Sequence, residues 1–239
     1  MTGEEDREWN LEIVNVTLED DGKYQCQVGA TESSDPLRSR YALVRVISPP
    51  HPPVLTAGPE LVLRDGKTAL VQCISKGGKP ASVIRWRRNG DLINSGVLEK
   101  VEKLNGSSEF ITVSTLTFPV TANMTEDSLE CEASHEAEDV ARTVSTKITV
   151  EFAPEVSLRT DTETIYEGDS VKLTCSAEAN PALVEYHWTL GGKELTEGRG
   201  AREVVLLVDR NFNKKKVSCF ARNTIGENMA SYSLDVKCK

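Results

Sequence analysis

Two tryptophans of this chain each follow a cysteine at the same distance, with twelve residues in between. A further cysteine follows each tryptophan later in the chain. The two sets, in chain order, are Cys73, Trp86, Cys131 and Cys175, Trp188, Cys219. A repeated spacing of this kind requires a fold that brings two cysteines, distant in sequence, together beside a buried tryptophan.

The immunoglobulin-type sandwich meets this requirement, because its strand C tryptophan packs against a disulfide that joins strands B and F. We therefore expect the disulfides Cys73–Cys131 and Cys175–Cys219. In the chain-entropy model each bridge contributes about 4 kcal/mol, and such bridges persist only in oxidising compartments. The predicted fold class is all-β, with tandem immunoglobulin-like (I-set or C2-type) β-sandwiches arranged in a rod.

Cys26 belongs to a third, incomplete pattern. Tyr24 stands two residues before it, at the tyrosine-corner position of strand F, but no cysteine or tryptophan precedes Cys26 at the required distance. Residues 1–48 are therefore expected to be strands E, F and G, the C-terminal half of a first immunoglobulin domain. The residues after Met1 have neither a basic nor an apolar signal region, so we expect an N-terminally truncated fragment that adheres weakly or not at all alone.

The rest of the chain divides at prolines and short junctions. Residues 49–53 contain four prolines, which remove backbone donors and predict a stiff linker. Residues 54–151 and 152–239 are expected to be a second and a third immunoglobulin-like domain. In the first segment we expect strand E near Trp9–Ile13 and strand G near Tyr41–Val46. Cys238 has no partner in this pattern.

Composition and charge exclude several classes of function. The net charge of -9 disfavours nucleic acid and anionic membrane surfaces, both of which attract cationic proteins. The sequence has no nucleophile elbow, phosphate-cradling glycine loop or HExxH motif, so we expect neither an enzyme nor a small-molecule substrate or cofactor. The six cysteines include no C-x-x-C pair, which argues against a metal site.

Three N-x-S/T sequons begin at Asn15, Asn105 and Asn123, and we expect glycosylation there. Together with the paired cysteines they favour the extracellular face of the plasma membrane. A structural array of intracellular I-set domains with reduced cysteines is the alternative. A gel shift on reduction and glycosidase sensitivity would distinguish the two.

Several longer motifs resemble the Neph/Kirre/Roughest adhesion receptors, which are related to nephrin. The motifs are Tyr24-Gln25-Cys26-Gln27-Val28, Lys76-Gly77-Gly78-Lys79-Pro80-Ala81, Cys175-x-Ala177-x-Ala179-Asn180-Pro181 and Asn223-Thr224-Ile225-Gly226. The resemblance implies a single-pass type I membrane protein that mediates cell–cell adhesion in trans. Its implied partners are a second copy of itself or a nephrin-like receptor, bound through the G-F-C face of the first domain. A nephrin-like heterophilic adhesion protein is the second interpretation.

That implied face can be placed on residues of this chain by strand alternation. Tyr24 and Cys26 are expected to face the core, so Gln25 and Gln27 point outward. In strand G the same alternation exposes Tyr41, Leu43 and Arg45. Two amides, an aromatic ring and an exposed leucine predict a mixed patch suited to partner binding. An ordinary solvated sheet face is the alternative interpretation.

Overall fold

The computed structural model describes residues 2–4 and 8–238, with side chains from residue 10 onward. Met1, residues 5–7 and Lys239, which belong to the predicted first and last segments, lie outside the described residues. Within the described residues the secondary structure is β, apart from short 3₁₀ turns, and the predicted all-β class is confirmed. The 3₁₀ turns are Leu18–Asp20, Ala122–Met124, Thr196–Gly198 and Arg210–Phe212.

The first segment forms three short antiparallel pairs. β1 pairs with β2, β3 with β6, and β4 with β5. Only the first two residues of the predicted strand E, Trp9–Ile13, lie in β2, and residues 11–13 are outside any strand. The strands are β1 (Thr2–Glu4), β2 (Glu8–Asn10), β3 (Gly22–Tyr24), β4 (Gln27–Val28), β5 (Leu37–Arg38) and β6 (Ala42–Val44).

The next nine strands carry the first Cys–Trp–Cys set. One sheet has the order β12-β13-β9-β7, and β10 pairs with β11 on one side and with β14 on the other. β14 then pairs with the first half of β15. The strands are β7 (Val54–Leu55), β8 (Glu60–Arg64), β9 (Thr68–Gly78), β10 (Val83–Arg88), β11 (Asp91–Ile93), β12 (Val97–Lys103), β13 (Phe110–Pro119), β14 (Ser128–Ser134) and β15 (Arg142–Thr160).

The turn between β10 and β11 shows why this sequence forms a hairpin there. Asn89 and Gly90 both have positive φ, at 52° and 89°. Two consecutive residues with positive φ are typical of a type I′ turn, whose twist matches that of antiparallel strands. Asn89-Gly90 thus forms the kind of hairpin turn that an Asn-Gly pair favours.

The core around the first tryptophan contains the expected disulfide. Trp86 lies opposite Cys131 in the β10–β14 ladder, and the Cys73–Cys131 disulfide has a Cα–Cα distance of 6.4 Å. The indole Nε1–H of Trp86 donates to Ser114 Oγ at 2.9 Å, and both residues are buried. Leu129, which occupies the tyrosine-corner position of this strand F, is also buried and fills that position with apolar packing.

The last part of the chain repeats the arrangement. The second half of β15 pairs with β17, β17 pairs with β20, and a second sheet has the order β19-β18-β21-β22. Cys175 and Cys219 form a disulfide with a Cα–Cα distance of 6.3 Å, beside buried Trp188. The strands are β16 (Ile165–Tyr166), β17 (Ser170–Asn180), β18 (Glu185–Leu190), β19 (Lys193–Glu194), β20 (Glu203–Leu207), β21 (Lys216–Arg222), β22 (Glu227–Ser233) and β23 (Val236–Lys237).

Spatial proximity divides the chain into two compact units, each made of several segments. The bounds of these units differ from those of the expected half domain, linker and two complete domains, and that division stays a prediction. The first unit contains residues 1–60, 70–118 and 127–147; the second contains residues 61–69, 119–126 and 148–239.

Candidate adhesive surface

The predicted partner-binding residues lie on or beside one β-hairpin, residues 22–44. Its two ladders, β3–β6 and β4–β5, are separated by an irregular stretch around Cys26 and Ser39. There the backbone N–H of Ser39 donates to Cys26 O at 2.9 Å, and the N–H of Cys26 donates to Ser39 Oγ at 3.0 Å. A serine side chain thus replaces one backbone acceptor, and the hairpin continues through the break.

The two glutamines are held by this irregular stretch. Gln25 donates from Nε2 to Ser39 O at 2.8 Å, and its Oε1 accepts from Gln27 Nε2 at 2.9 Å. Gln25 is consequently half-buried, whereas Gln27 is exposed. Cys26 is exposed, although strict alternation predicted that it faces the core. The alternation fails here because the ladder breaks between β3 and β4.

The three residues from β6 and its flanks are exposed, as alternation predicts. Tyr41 is 67% exposed and Leu43 is 71% exposed, with Leu43 directly opposite Lys23 in the ladder. The Arg45 guanidinium lies 2.9 Å from Glu136 Oε1, so its charge is already partnered within the chain. Tyr41 and Leu43 are therefore the side chains of this group with the most free apolar area.

Two further apolar side chains of the hairpin are exposed, on the face opposite that of Gln27, and were not predicted. Val28 and Leu37 face each other across the β4–β5 pair and are 54% and 67% exposed. Leu37 follows a proline in the loop, and no run long enough to show alternation surrounds it. The only signal in the sequence was an isolated apolar residue on each side of a turn. We use "hairpin patch" below for Gln25, Gln27, Tyr41 and Leu43.

The base of the hairpin is fixed by polar contacts. The Tyr24 hydroxyl donates to Asp20 O at 2.8 Å, which is the expected tyrosine corner. Asp21 accepts the backbone N–H of Val46 at 3.0 Å and lies 2.9 Å from Lys79 Nζ. The hydrogen bond from Lys79, supported by that from Val46, lowers the pKa of the Asp21 carboxyl below its usual value.

The residues after the hairpin are also hydrogen-bonded to the region around the end of β9. The backbone groups of Ser48 and Lys79 exchange two hydrogen bonds, each 2.9 Å long, and Ser48 Oγ donates to Glu109 Oε1 at 3.0 Å. His51 N–H donates to Lys76 O at 2.7 Å. The proline-rich segment therefore lies along the end of β9, and this region holds the base of the hairpin in place.

The arginines of β10 do not form a free cationic patch. Glu132 lies 2.8 Å from Arg87 and 3.9 Å from Arg85, and Asp127 lies 3.7 Å from Arg88. The hydrogen bond with Glu132 raises the pKa of Arg87. Every arginine of the group thus has a carboxylate beside it, which agrees with a solvated strand face rather than a site for an acidic partner.

The remaining predicted positions are accessible. Asn15, Asn105 and Asn123 are all exposed, and Asn15 has a positive φ of 55°. Cys26 and Cys238 are free and exposed. Among the described residues, no helix is long and apolar enough to cross a bilayer, and no three potential ligands converge to hold a metal ion.

Comparisons with known proteins place these features in a family. A profile of the CD80-like C2-set immunoglobulin domain matches residues 50–141, and a profile of an immunoglobulin domain matches residues 153–223. Kin of IRRE-like protein 3 of Homo sapiens is 34% identical over 230 residues, which cover 96% of this chain and 29% of that protein. The chain thus spans under a third of the length of this relative.

Two further matches agree with this assignment. Cell adhesion molecule 3 of Xenopus laevis is 30% identical over 238 residues, which cover 96% of this chain and 57% of that protein. The crystal structure of Rst D1-D2 is 28% identical with a TM-score of 0.55, covering 57% of this chain and 66% of that chain. The resemblance to Neph/Kirre/Roughest receptors is confirmed. The chain belongs to the immunoglobulin superfamily and is a homologue of the Kin of IRRE-like proteins.

Proposed function

We propose that this chain is part of the extracellular portion of a plasma-membrane adhesion receptor. In this proposal it recognises an immunoglobulin-superfamily receptor on an apposed cell, either a second copy of itself or a nephrin-like protein. The homology with Kin of IRRE-like and cell adhesion molecules supports the class of function. The two disulfides support an extracellular location, since such bonds persist in oxidising compartments.

The observation that carries the choice of surface is the hairpin patch. Leu43 and Tyr41 expose large apolar areas beside the Gln25–Gln27 amide pair, whose groups are hydrogen-bonded to each other and to Ser39. Preordered amides beside apolar side chains lose little side-chain entropy on binding, which favours affinity. Aromatic anchors surrounded by polar groups are typical of residues that dominate binding energy.

The test compares Leu43→Asp with Leu207→Asp in a bead-aggregation assay. Leu207 is a matched control because it is also 71% exposed and lies on β20, far along the chain from the hairpin. Beads coated densely with the chain are mixed with themselves or with beads coated with a nephrin ectodomain. Dense coating makes weak contacts measurable through multivalency.

We expect the wild-type chain and Leu207→Asp to aggregate one of the two bead sets, and Leu43→Asp to do so at least about tenfold less. The bead set that aggregates identifies the self or the nephrin-like partner. Equal aggregation by the two variants would overturn the assignment of the surface. No aggregation of either bead set by the wild-type chain, even at dense coating, would overturn the proposal that this chain carries the recognition surface.

A further inference from the structure

β12 (Val97–Lys103) is a free sheet edge with an unusual charge order. It lies at the end of the sheet β12-β13-β9-β7, pairs with β13 alone among the described residues, and is exposed along its whole length. Its sequence is Val-Leu-Glu-Lys-Val-Glu-Lys. An open edge offers unpaired backbone groups to another strand, and charged side chains usually oppose such pairing.

The direction of the free backbone groups follows from two hydrogen bonds that flank the ladder. Thr117 N–H donates to Gly96 O at 2.8 Å, and Leu104 N–H donates to Glu109 O at 2.9 Å. Bonded and non-bonded pairs alternate in an antiparallel ladder, so the even-numbered residues of β12 direct their N–H and C=O groups to β13. The odd-numbered residues, including Glu99, Val101 and Lys103, direct theirs to the open side.

The order of charges around Val101 is antisymmetric. Lys100 precedes Val101 and Glu102 follows it, while Glu99 and Lys103 stand two positions away on the two sides. If two copies pair antiparallel about a two-fold axis at Val101, Lys100 faces Glu102 of the second copy and Glu99 faces Lys103. Every charge of the strand then lies opposite an unlike charge, a pairing that stabilises adjacent strands.

Registers centred on a charged residue or between two residues fail on the same evidence, and an axis at Val97 or Leu98 keeps at most three residues of β12 in the pair. An axis at Glu99, Lys100, Glu102 or Lys103 places like charges directly opposite each other, which is destabilising. An axis between two residues pairs a residue whose backbone groups point to the open side with one whose backbone groups point to β13. Backbone hydrogen bonds between the copies are then not made. The register centred on Val101 avoids both problems. It also pairs Val101, Glu99 and Lys103, whose backbone groups point to the open side, with residues whose backbone groups point to the open side of the second copy.

We propose that β12 is a second self-association surface, at which two copies of this chain pair edge to edge about Val101. The interface is isologous, since the same strand contributes both halves. It is independent of the hairpin patch, because none of its residues lies on that hairpin. Leu43→Asp is therefore expected to leave this association unchanged, and failure of the proposed adhesive surface would not affect it.

The test uses charge reversal and mixing, with sedimentation velocity of the unglycosylated chain over a concentration series. Unglycosylated protein is used because a glycan at Asn105 would add variable mass to the sedimenting species; Asn105 follows β12 and lies outside the charge pairs of residues 99–103. Lys100→Glu and Glu102→Lys each place like charges across the axis and should raise the dimer dissociation constant at least about tenfold. Each also removes the ion pair between Lys100 Nζ and Glu102 Oε1, which are 2.6 Å apart within one chain.

Mixing the two variants separates the loss of the ion pair within one chain from the repulsion of like charges between chains. In an equimolar mixture of Lys100→Glu and Glu102→Lys, neither chain regains its internal ion pair, but unlike charges again face each other between chains. The mixture, and the double variant Lys100→Glu/Glu102→Lys, should restore the dimer. Lys172→Glu is the control, since it breaks the 2.8 Å Lys172–Glu203 pair on other strands and should have no effect.

Circular dichroism melting checks that every variant is folded. A wild-type chain that stays monomeric at its highest soluble concentration would overturn the proposal. So would a mixture that remains monomeric while the wild type dimerises, because that result excludes the Val101-centred register.

Discussion

At the residue scale, the two tryptophans satisfy the same requirement by different means. A buried indole N–H needs an acceptor, and Trp86 finds it in the hydroxyl of Ser114 at 2.9 Å. Trp188 donates instead to the backbone carbonyl of Ala201, also at 2.9 Å. Only the first of these bonds can be removed by changing a single side chain.

Ser114→Ala is therefore expected to lower the free energy of unfolding by about 1–3 kcal/mol, the cost of leaving a buried donor without a partner. Chemical denaturation followed by circular dichroism measures the change. Ser145→Ala is the control, since Ser145 is exposed on β15 and should change stability by less than about 0.5 kcal/mol. Equal stability of the two variants would show that the indole finds another acceptor.

At the element scale, one carboxylate makes two of the contacts that hold the base of the hairpin. Asp21 accepts bonds from Lys79 and Val46, and these contacts lower its pKa below the usual value. A carboxyl whose folded pKa is lowered stabilises the folded form above its unfolded pKa. That stabilisation is lost as the pH falls through the folded pKa.

We accordingly expect the hairpin to open more readily as the pH falls below the usual aspartate range. Hydrogen exchange of peptides covering residues 22–46, compared between neutral and acidic pH after correction for intrinsic rates, measures this opening. Asp21→Asn should give faster exchange at neutral pH and a smaller additional change on acidification. An unchanged pH response in Asp21→Asn would assign the effect to other carboxylates.

The same scale shows which elements could be predicted from sequence. Strands carrying Cys73, Trp86, Cys175 and Trp188 alternate apolar and polar residues because one face packs on a core. β12 was not predicted, since at a sheet edge both faces are exposed and the period-two signal is lost. The half-buried state of Gln25 was also missed, because it depends on a break in the ladder that only the paired strand creates.

At the scale of the whole molecule, the location proposed for the receptor has a direct test. Expression through the secretory pathway of cultured cells should give a chain that shifts on reducing gels and loses mass with an endoglycosidase. Asn15→Gln, Asn105→Gln and Asn123→Gln should each remove one step of that mass loss, because all three asparagines are exposed. A single band unaffected by reductant and glycosidase would favour the intracellular array instead.

The difference between the two indole acceptors also bears on how these domains tolerate inherited change. A carbonyl oxygen of the main chain is present whatever residue the codon for position 201 specifies, so the bond of Trp188 is insensitive to substitution there. The bond of Trp86 depends on one hydroxyl, and a single missense change at position 114 removes it. Among variants of this protein, loss of the indole's acceptor should accordingly follow substitution at position 114 and not at position 201.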